Sequence, residues 1–346
     1  MTISPQICTH FYTTHPGRRL LAIIVPTYNR SRSLVQLLNQ LAGEVAPLAQ
    51  QIQILVSDNH SPDDTECQVG QWIETYGAEL PLCYFRQADN LGAIGNLNFL
   101  IAQVDAEYCW PIADDDLLVN GMLEKVVQAL AELTQQDLML LVRATNIEEW
   151  DNAPHLTVKS VQQAQRIEVG QPVCLPFVLA APFLSSVIVQ TNTWRGFLPQ
   201  LEPYRATDYT NWGVALLSAQ YAGHFHLLDQ ECVRGNATMI GQSRIPTFRI
   251  LVMGRVKIWH VLTREPLRMM LKPPMLRLWV SGWKAVVAGY TDELKTMQDK
   301  WRALREGINL LGVQALVCLP LFIFSLIGSA PQRKRLIETA RKLIRS

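Results

Sequence analysis

The chain is short of charge. Only 18% of its 346 residues are Asp, Glu, Lys or Arg, 49% are hydrophobic, and the mean hydropathy is +0.08. That balance excludes a purely solvating, disordered chain and points toward membrane contact. Paired cysteines are also lacking. The seven cysteines, at 8, 67, 83, 109, 174, 232 and 318, form no C-x-x-C pair, and no Cys/His spacing fits zinc. They read as reduced, mostly buried thiols of a reducing compartment. The first twenty residues have no charged start followed by an apolar core. A secretory signal peptide is therefore not expected, and the expected location is cytoplasmic. No fixed-period repeat runs through the chain.

A net charge of +1 hides an imbalance. Residues 1–248 hold 13 basic and 24 acidic side chains, a net of −11, whereas residues 249–346 hold 18 and 6, a net of +12. Such asymmetry suggests that the second part meets an anionic partner.

Apolar runs alternate with amphipathic ones. "LLAIIV", "QIQILVSDN", "LPLCYFRQ", "EYCWPIA" and "DLMLLVRAT" read as strands. "SLVQLLNQLAGEV", "DDTECQVGQWIETYG", "LGAIGNLNFLIAQVD" and "GMLEKVVQALAEL" read as the intervening helices. Continuous apolar strands are buried on both faces, as in parallel sheets, and the alternation predicts an α/β fold. After about residue 146 the rhythm breaks, with a helix expected over "YRATDYTNWGVALLSAQYAG" and a strand over "HFHLLDQECVR". We expect an N-terminal extension (1–19), a catalytic α/β domain (20–245) and a basic, apolar helical region (246–346).

In open α/β sheets, ligands bind beyond the carboxyl ends of the strands. Those ends here carry Pro26-Thr27-Tyr28-Asn29-Arg30, Ser57-Asp58-Asn59-His60-Ser61, Asp89-Asn90-Leu91-Gly92 and Asp114-Asp115-Asp116. Each alone is an ordinary loop; together they describe a pocket rim. Three adjacent carboxylates disfavour one another's ionisation, so the triplet makes sense beside a cation. Hard divalent ions such as Mg²⁺ or Mn²⁺ take carboxylate oxygens and keep positions for substrate phosphates. The plain alternative is a solvated acidic turn that caps the next helix.

"IIVPTYNR", "ILVSDNHSPDDT", "NLGAIGNLN" and "ADDDLL" follow one another as in the nucleotide-diphospho-sugar glycosyltransferases of family 2. The chain resembles that family, with its GT-A fold, over residues 20–240, and is most similar to its abequosyltransferase-like subgroup. The resemblance implies that Pro26, Thr27, Tyr28 and Asn29 line the nucleotide pocket, with Tyr28 placed to stack on the base. It implies that Asp58 accepts a hydrogen bond from base or ribose, although the family often has Asp-Asp where this chain has Ser57-Asp58. Asn90, Gly92 and Asn96 match the loop beside the nucleotide and donor sugar. Asp114 and Asp116 match the DxD motif that holds ribose and metal; Asp115 faces one or the other. The family places an acidic base at a helix start, and Asp208 in "RATDYTNW" fits, with Glu202 nearby. Arg234 matches a basic position that pairs with the diphosphate or else with a surface carboxylate.

The implied reaction is a single in-line displacement with inversion, hexosyl or deoxyhexosyl. Asp208 takes the acceptor proton, while cations neutralise the departing nucleoside diphosphate. The Gln-x-x-Arg-Trp signature of processive synthases is absent after residue 208, which favours one sugar per acceptor. His224 and His226 alternate, so both face one side of a strand; they read as ordinary strand histidines or as metal or phosphate contacts.

Residues 310–328, "LLGVQALVCLPLFIFSLIG", carry no charge and approach the length of a bilayer span. Gln314 and Pro320 interrupt them and "RKR" follows. With the Trp- and Lys/Arg-rich helices upstream, the pattern predicts attachment to an anionic membrane face, in preference to a span or to a bundle packed on the catalytic domain. Nucleic acid is not an expected partner, since no binding motif accompanies the charge. The expected function is transfer of one sugar to a lipid-linked or other membrane-associated glycan in surface polysaccharide synthesis. A nucleotidyltransferase is the competing enzyme class, but "VPTYNRSRS" lacks the Gly-rich loop that grips a triphosphate. A non-catalytic nucleotide-binding module recruited to the membrane is the other alternative.

Overall fold

The computed structural model describes residues 19–76, 80–156, 164–207, 209–235, 252–262, 266–288, 294 and 296–326. The chain divides into two compact units, Met1–Glu202 with Thr210–Met239, and Pro203–Tyr209 with Ile240–Ser346. The expected domain boundary at 245/246 lies outside the described residues.

The first unit is built on a nine-stranded sheet. Its first half follows the apolar runs: β1 (Arg19–Thr27), β2 (Ile52–Asp58), β3 (Leu82–Arg86) and β4 (Ala106–Pro111). They are parallel and ordered β3-β2-β1-β4, with Ile23 opposite Ile54 and Trp110. Leu21 to Val25 are fully buried, as a strand covered on both faces must be. The covering helices are α1 (Ser31–Val45), α2 (Thr65–Tyr76) and α3 (Gly92–Gln103). Helix α1 buries Leu34, Leu37, Leu38, Leu41 and Val45, the spacing of one helical face.

Beyond β4 the order is β8-β6-β9-β5, with β7 off the path against β9. The chain passes through β5 (Leu117–Leu118), α4 (Met122–Ala131), β6 (Met139–Thr145), α5 (Glu148–Asp151), β7 (Gln165–Glu168), α6 (Cys174–Ala180), β8 (Val187–Gln190), α7 (Thr191–Leu201), α8 (Thr210–Ala222) and β9 (His224–Arg234). The apolar, proline-interrupted segment 173–194 yields β8, which runs antiparallel between β4 and β6. Four residues are too few for a periodicity to show. Helix α8 is buried almost throughout, which explains its lack of an amphipathic pattern.

Cys109, Cys174 and Cys232 are buried, as expected of reduced structural thiols. Burial pushes the Cys109 and Cys174 thiols up to about 12, and raises Cys232 too. In the second unit the described residues are helical over Arg255–Trp259, Leu267–Ala288, Met297–Leu311 and Leu319–Ser325, with a 3₁₀ stretch at Gly312–Cys318. Trp279 and Trp283 are fully buried and stack edge to face.

Candidate active site

The strand order reverses direction on either side of β1, and ligands of open α/β sheets bind at such a switch point. The carboxyl ends of β1 and β4 meet there. Thr27 Oγ1 donates to Asp114 Oδ2 at 2.6 Å, and Arg30 Nη1 donates to Asp114 Oδ1 at 2.8 Å. The same Arg30 nitrogen lies 3.1 Å from Asp115 Oδ2. Asp116 accepts from Ser185 Oγ at 2.6 Å. Burial raises the Asp114 pKa, opposed by Arg30 and Thr27. Arg30 is pushed up: burial works against its charge, and Asp114, then Asp115 and Asp116, outweigh it. Tyr28 is 46% exposed, so its ring is open to a ligand. Pro26 pairs in register with Ser57 and has no N–H to give to a neighbouring strand.

The neighbouring loops are held by a dense polar web. Asn29, in the left-handed region at φ 56°, donates its backbone N–H to Ser61 Oγ at 2.8 Å. Asp63 ties two helix starts together, accepting from Ser31 N at 3.2 Å, Thr65 N at 3.1 Å and Thr65 Oγ1 at 2.5 Å. Asn59 and Asn90 cross-link, Asn59 Nδ2 donating to Asn90 Oδ1 at 2.9 Å, and Asn90 also accepts from Gly92 N at 2.8 Å. Gly92 has φ 73°, a conformation that favours glycine and lets the loop turn directly into α3.

Two more of the expected site residues are buried at the end of β2 and the start of α3. Asp58 is fully buried, and its oxygens accept from Ser61 N at 2.8 Å and Tyr84 Oη at 3.0 Å. This carboxylate shapes the loop at the end of β2. Asn96 is likewise buried. It accepts from Ser57 Oγ at 2.6 Å and donates to the Ser57 carbonyl at 2.8 Å, bracing the end of β2.

Strand β5 pairs with the end of β9 and sets Leu117 opposite Arg234, one residue past the acidic triplet. The Arg234 side chain is exposed and donates to Glu231 Oε1 at 3.0 Å, the surface-carboxylate pairing. Asp208 lies outside the described residues. Glu202 opens a 3₁₀ turn that runs to Thr207. His224 and His226 sit at the opposite, amino end of β9, and both contact Asp137.

Arg30 and Ser185 were not legible in the sequence. Arg30 has a signal in retrospect, since a basic residue closes the first strand-end loop while the facing loop carries three acids. Ser185 has none, because its position depends on the antiparallel insertion of β8. The hard-oxygen donor set of Asp114, Asp115 and Asp116 fits Mg²⁺ or Mn²⁺, and the presence of Arg30 shows how strongly this rim calls for positive charge.

A parallel sheet ordered 3-2-1-4, with an acidic switch point and polar loops at four carboxyl ends, defines a GT-A α/β domain. Residues 22–180 match the model of glycosyl transferase family 2. Over this segment, a little under half of the chain, the protein is similar to that family. It is similar to the abequosyltransferase RfbV of Salmonella typhimurium, 29% identical over 185 residues that cover 51% of this chain and 54% of that protein. It is also similar to the GalNAc(5)-diNAcBac-PP-undecaprenol β-1,3-glucosyltransferase of Campylobacter jejuni, 30% identical over 112 residues, 32% of this chain and 35% of that one. The chain thus spans about half the length of the first and a third of the second. Among solved structures it is similar in fold to Staphylococcus aureus TarS 1–349 in complex with UDP, with a TM-score of 0.59, 15% identity and coverage of 94% and 91%.

Proposed function

We propose that the chain transfers a single sugar from a nucleotide-diphospho-sugar to a hydroxyl of a lipid-linked or other membrane-associated glycan, with inversion, in surface polysaccharide synthesis. The carrying observation is the convergence of Thr27, Arg30, Asp114 and Asp115 at the switch point, beside an exposed Tyr28. The relatives' names, an abequosyltransferase and a glucosyltransferase on an undecaprenol-linked acceptor, support the substrate class.

Tyr28 stacks on the base, and Pro26, Thr27 and Asn29 shape the pocket wall around it. Asn90 and Gly92 hold the loop beside the donor. Asp114 and Asp116 would hold a divalent cation, with Asp115 toward cation or ribose. A bound Mg²⁺ or Mn²⁺ supplies charge neutralisation at the diphosphate. Arg30 offers the same service from the protein, as a guanidinium placed to reach phosphate oxygens; Arg234 is a second such group if it leaves Glu231. Asp208 is the base that accepts the acceptor's hydroxyl proton as that oxygen attacks the anomeric carbon.

The second unit supports attachment to the cytoplasmic face of the membrane. The helical stretch Met297–Ile323 is long and apolar enough to cross a membrane, and 28% of its most apolar window is buried. It exposes Trp301, Val313, Val317 and Ile323. Co-sedimentation with anionic but not zwitterionic vesicles is the expected result; no sedimentation with either would remove the membrane from this reading.

The deciding experiment is calorimetry of UDP, GDP, dTDP and CDP with Mn²⁺ or Mg²⁺, then with EDTA. Metal-dependent binding of one nucleotide, lost in an Asp114→Ala/Asp116→Ala double variant, is expected. Asp208→Ala should keep that binding and lower turnover by about 10²–10⁴-fold. No binding of any nucleotide would sink the glycosyltransferase proposal. Nucleotide binding with turnover untouched by Asp208→Ala would reject the assigned base.

A further inference from the structure

The amino-terminal edge of the same sheet carries a second polar cluster that sugar transfer does not use. Asp137, in the turn before β6, meets His224 and His226 at the start of β9. His224 Nε2 lies 2.7 Å and His226 Nε2 2.9 Å from the same oxygen, Asp137 Oδ1. The other oxygen accepts from Thr134 N at 2.8 Å and Thr134 Oγ1 at 2.7 Å. Asp137 and His224 are almost completely buried.

Proton placement makes this cluster unusual. His224 Nδ1 is 2.9 Å from the Ala222 carbonyl. A carbonyl only accepts, so Nδ1 carries the proton. In the neutral ring Nε2 is then a bare lone pair, and it points at a carboxylate oxygen that also only accepts. Two lone pairs at 2.7 Å require something positive between them, a second proton on the ring or a metal ion. His226 presents its Nε2 to the same point, and its buried Nδ1 has no hydrogen-bond partner. The three ligand atoms all lie within 4.8 Å of one another.

We propose that Asp137, His224 and His226 form a transition-metal site, of zinc type, separate from the nucleotide edge. Two imidazoles and one carboxylate are a usual zinc donor set, and a three-ligand site leaves a fourth position. A ligating histidine normally donates its remote N–H to a carbonyl or carboxylate, as His224 does to Ala222. Bond lengths of about 2.0–2.1 Å in a tetrahedron set ligand atoms roughly 3.3 Å apart, so the cluster has to open by about half an ångström. Arg166 Nη1 stands 4.0 Å from Asp137 Oδ1 and disfavours a cation, but that side chain is half-exposed and donates from Nε to Glu168 Oε1 at 2.7 Å. Glu168, on β7 opposite His224, adds a negative charge beside the site. His226 and Arg234 pair with Leu140 and Thr145 of β6, five steps apart and so about 17 Å at ~3.3 Å per residue, so this ion would take no part at the diphosphate. It would clasp the turn before β6 to the first residues of β9.

The test uses the full chain stripped with chelator and titrated with Co²⁺ and Zn²⁺ alone. One equivalent of Co²⁺ should produce visible d–d absorption of a nitrogen- and oxygen-ligated site, displaced by Zn²⁺, in the wild type and equally in Asp114→Ala/Asp116→Ala. His226→Gln should weaken Zn²⁺ binding by at least tenfold while the far-ultraviolet circular dichroism stays native. Absence of a cobalt spectrum in folded wild type overturns the site and leaves a hydrogen-bonded cluster of Asp137 with the two histidines. Zinc binding unchanged in both His226→Gln and Asp137→Asn overturns it as well, since the ion would then lie elsewhere.

Discussion

Arg30 and Arg143 both neutralise aspartates of one sheet, at 2.8 Å and 2.6 Å. Their surroundings differ. Arg30 is 36% exposed and shared between Asp114 and Asp115. Arg143 is 4% exposed and Asp229 1%. Around that pair the remaining valences are also filled: Arg143 Nη2 donates to the Pro154 carbonyl at 2.9 Å, and Asp229 Oδ2 accepts from Leu156 N at 2.6 Å. A closed, fully bonded pair fixes a fold element, here the segment after α5 against β6 and β9. An open pair, with one cation serving two anions beside solvent, can exchange its partner for a ligand's phosphate. Charge pairing alone therefore does not separate structure from function; water access does.

The contrast can be broken most severely at Asp229. Asp229→Ala leaves Arg143 charged and buried without its carboxylate, and removal of one partner of a buried pair costs about 3–5 kcal/mol. Urea denaturation should show that loss. Arg30→Ala should sharpen the difference from the other side. Stability should move by no more than about 1 kcal/mol, while nucleoside-diphosphate affinity falls roughly tenfold, about 1.4 kcal/mol, by calorimetry. Equal stability losses in the two variants would erase the distinction.

The smallest effect belongs to Asp63, whose pKa is lowered by Thr65 and Ser31 against its partial burial. Its carboxylate serves two helix starts, so Asp63→Ala should cost about 1 kcal/mol at neutral pH. A carboxyl with a depressed folded pKa stabilises above its unfolded value, near 3.9, and that contribution fades as pH falls toward the folded value. The gap between wild type and Asp63→Ala should close as pH drops below about 4; a gap constant from pH 7 to 3 would contradict the ionised cap.

The first four strands were legible because burial on both faces writes itself as unbroken apolar runs, and their polar ends marked the rim. Asp114 was legible for the same reason, as charge where the run stops. In the second half β6 and β9 were legible too, as "DLMLLVRAT" and "HFHLLDQECVR", but β5, β7 and β8 were not. Strand β8 is four residues in a proline-broken segment, and its partners β4 and β6 are set by tertiary pairing. The burial of Asp58 and Asn96 was not legible, because residue type signals polarity and not direction. Both point inward, to Tyr84 and Ser57. Asp137 carried no signal at all, since only the parallel pairing of β6 with β9 brings it to the histidines.

The buried thiols have a practical consequence. Among the described cysteines, Cys67 alone is exposed, whereas Cys109 and Cys232 lie in the sheet's interior. An alkylating reagent should therefore mark Cys67 within its ordinary reaction time and reach Cys109 or Cys232 only when β4 or β9 comes loose. Peptide mapping of the label over hours would act as a clock of sheet opening. It would show whether β4 and β9 open together or one after the other.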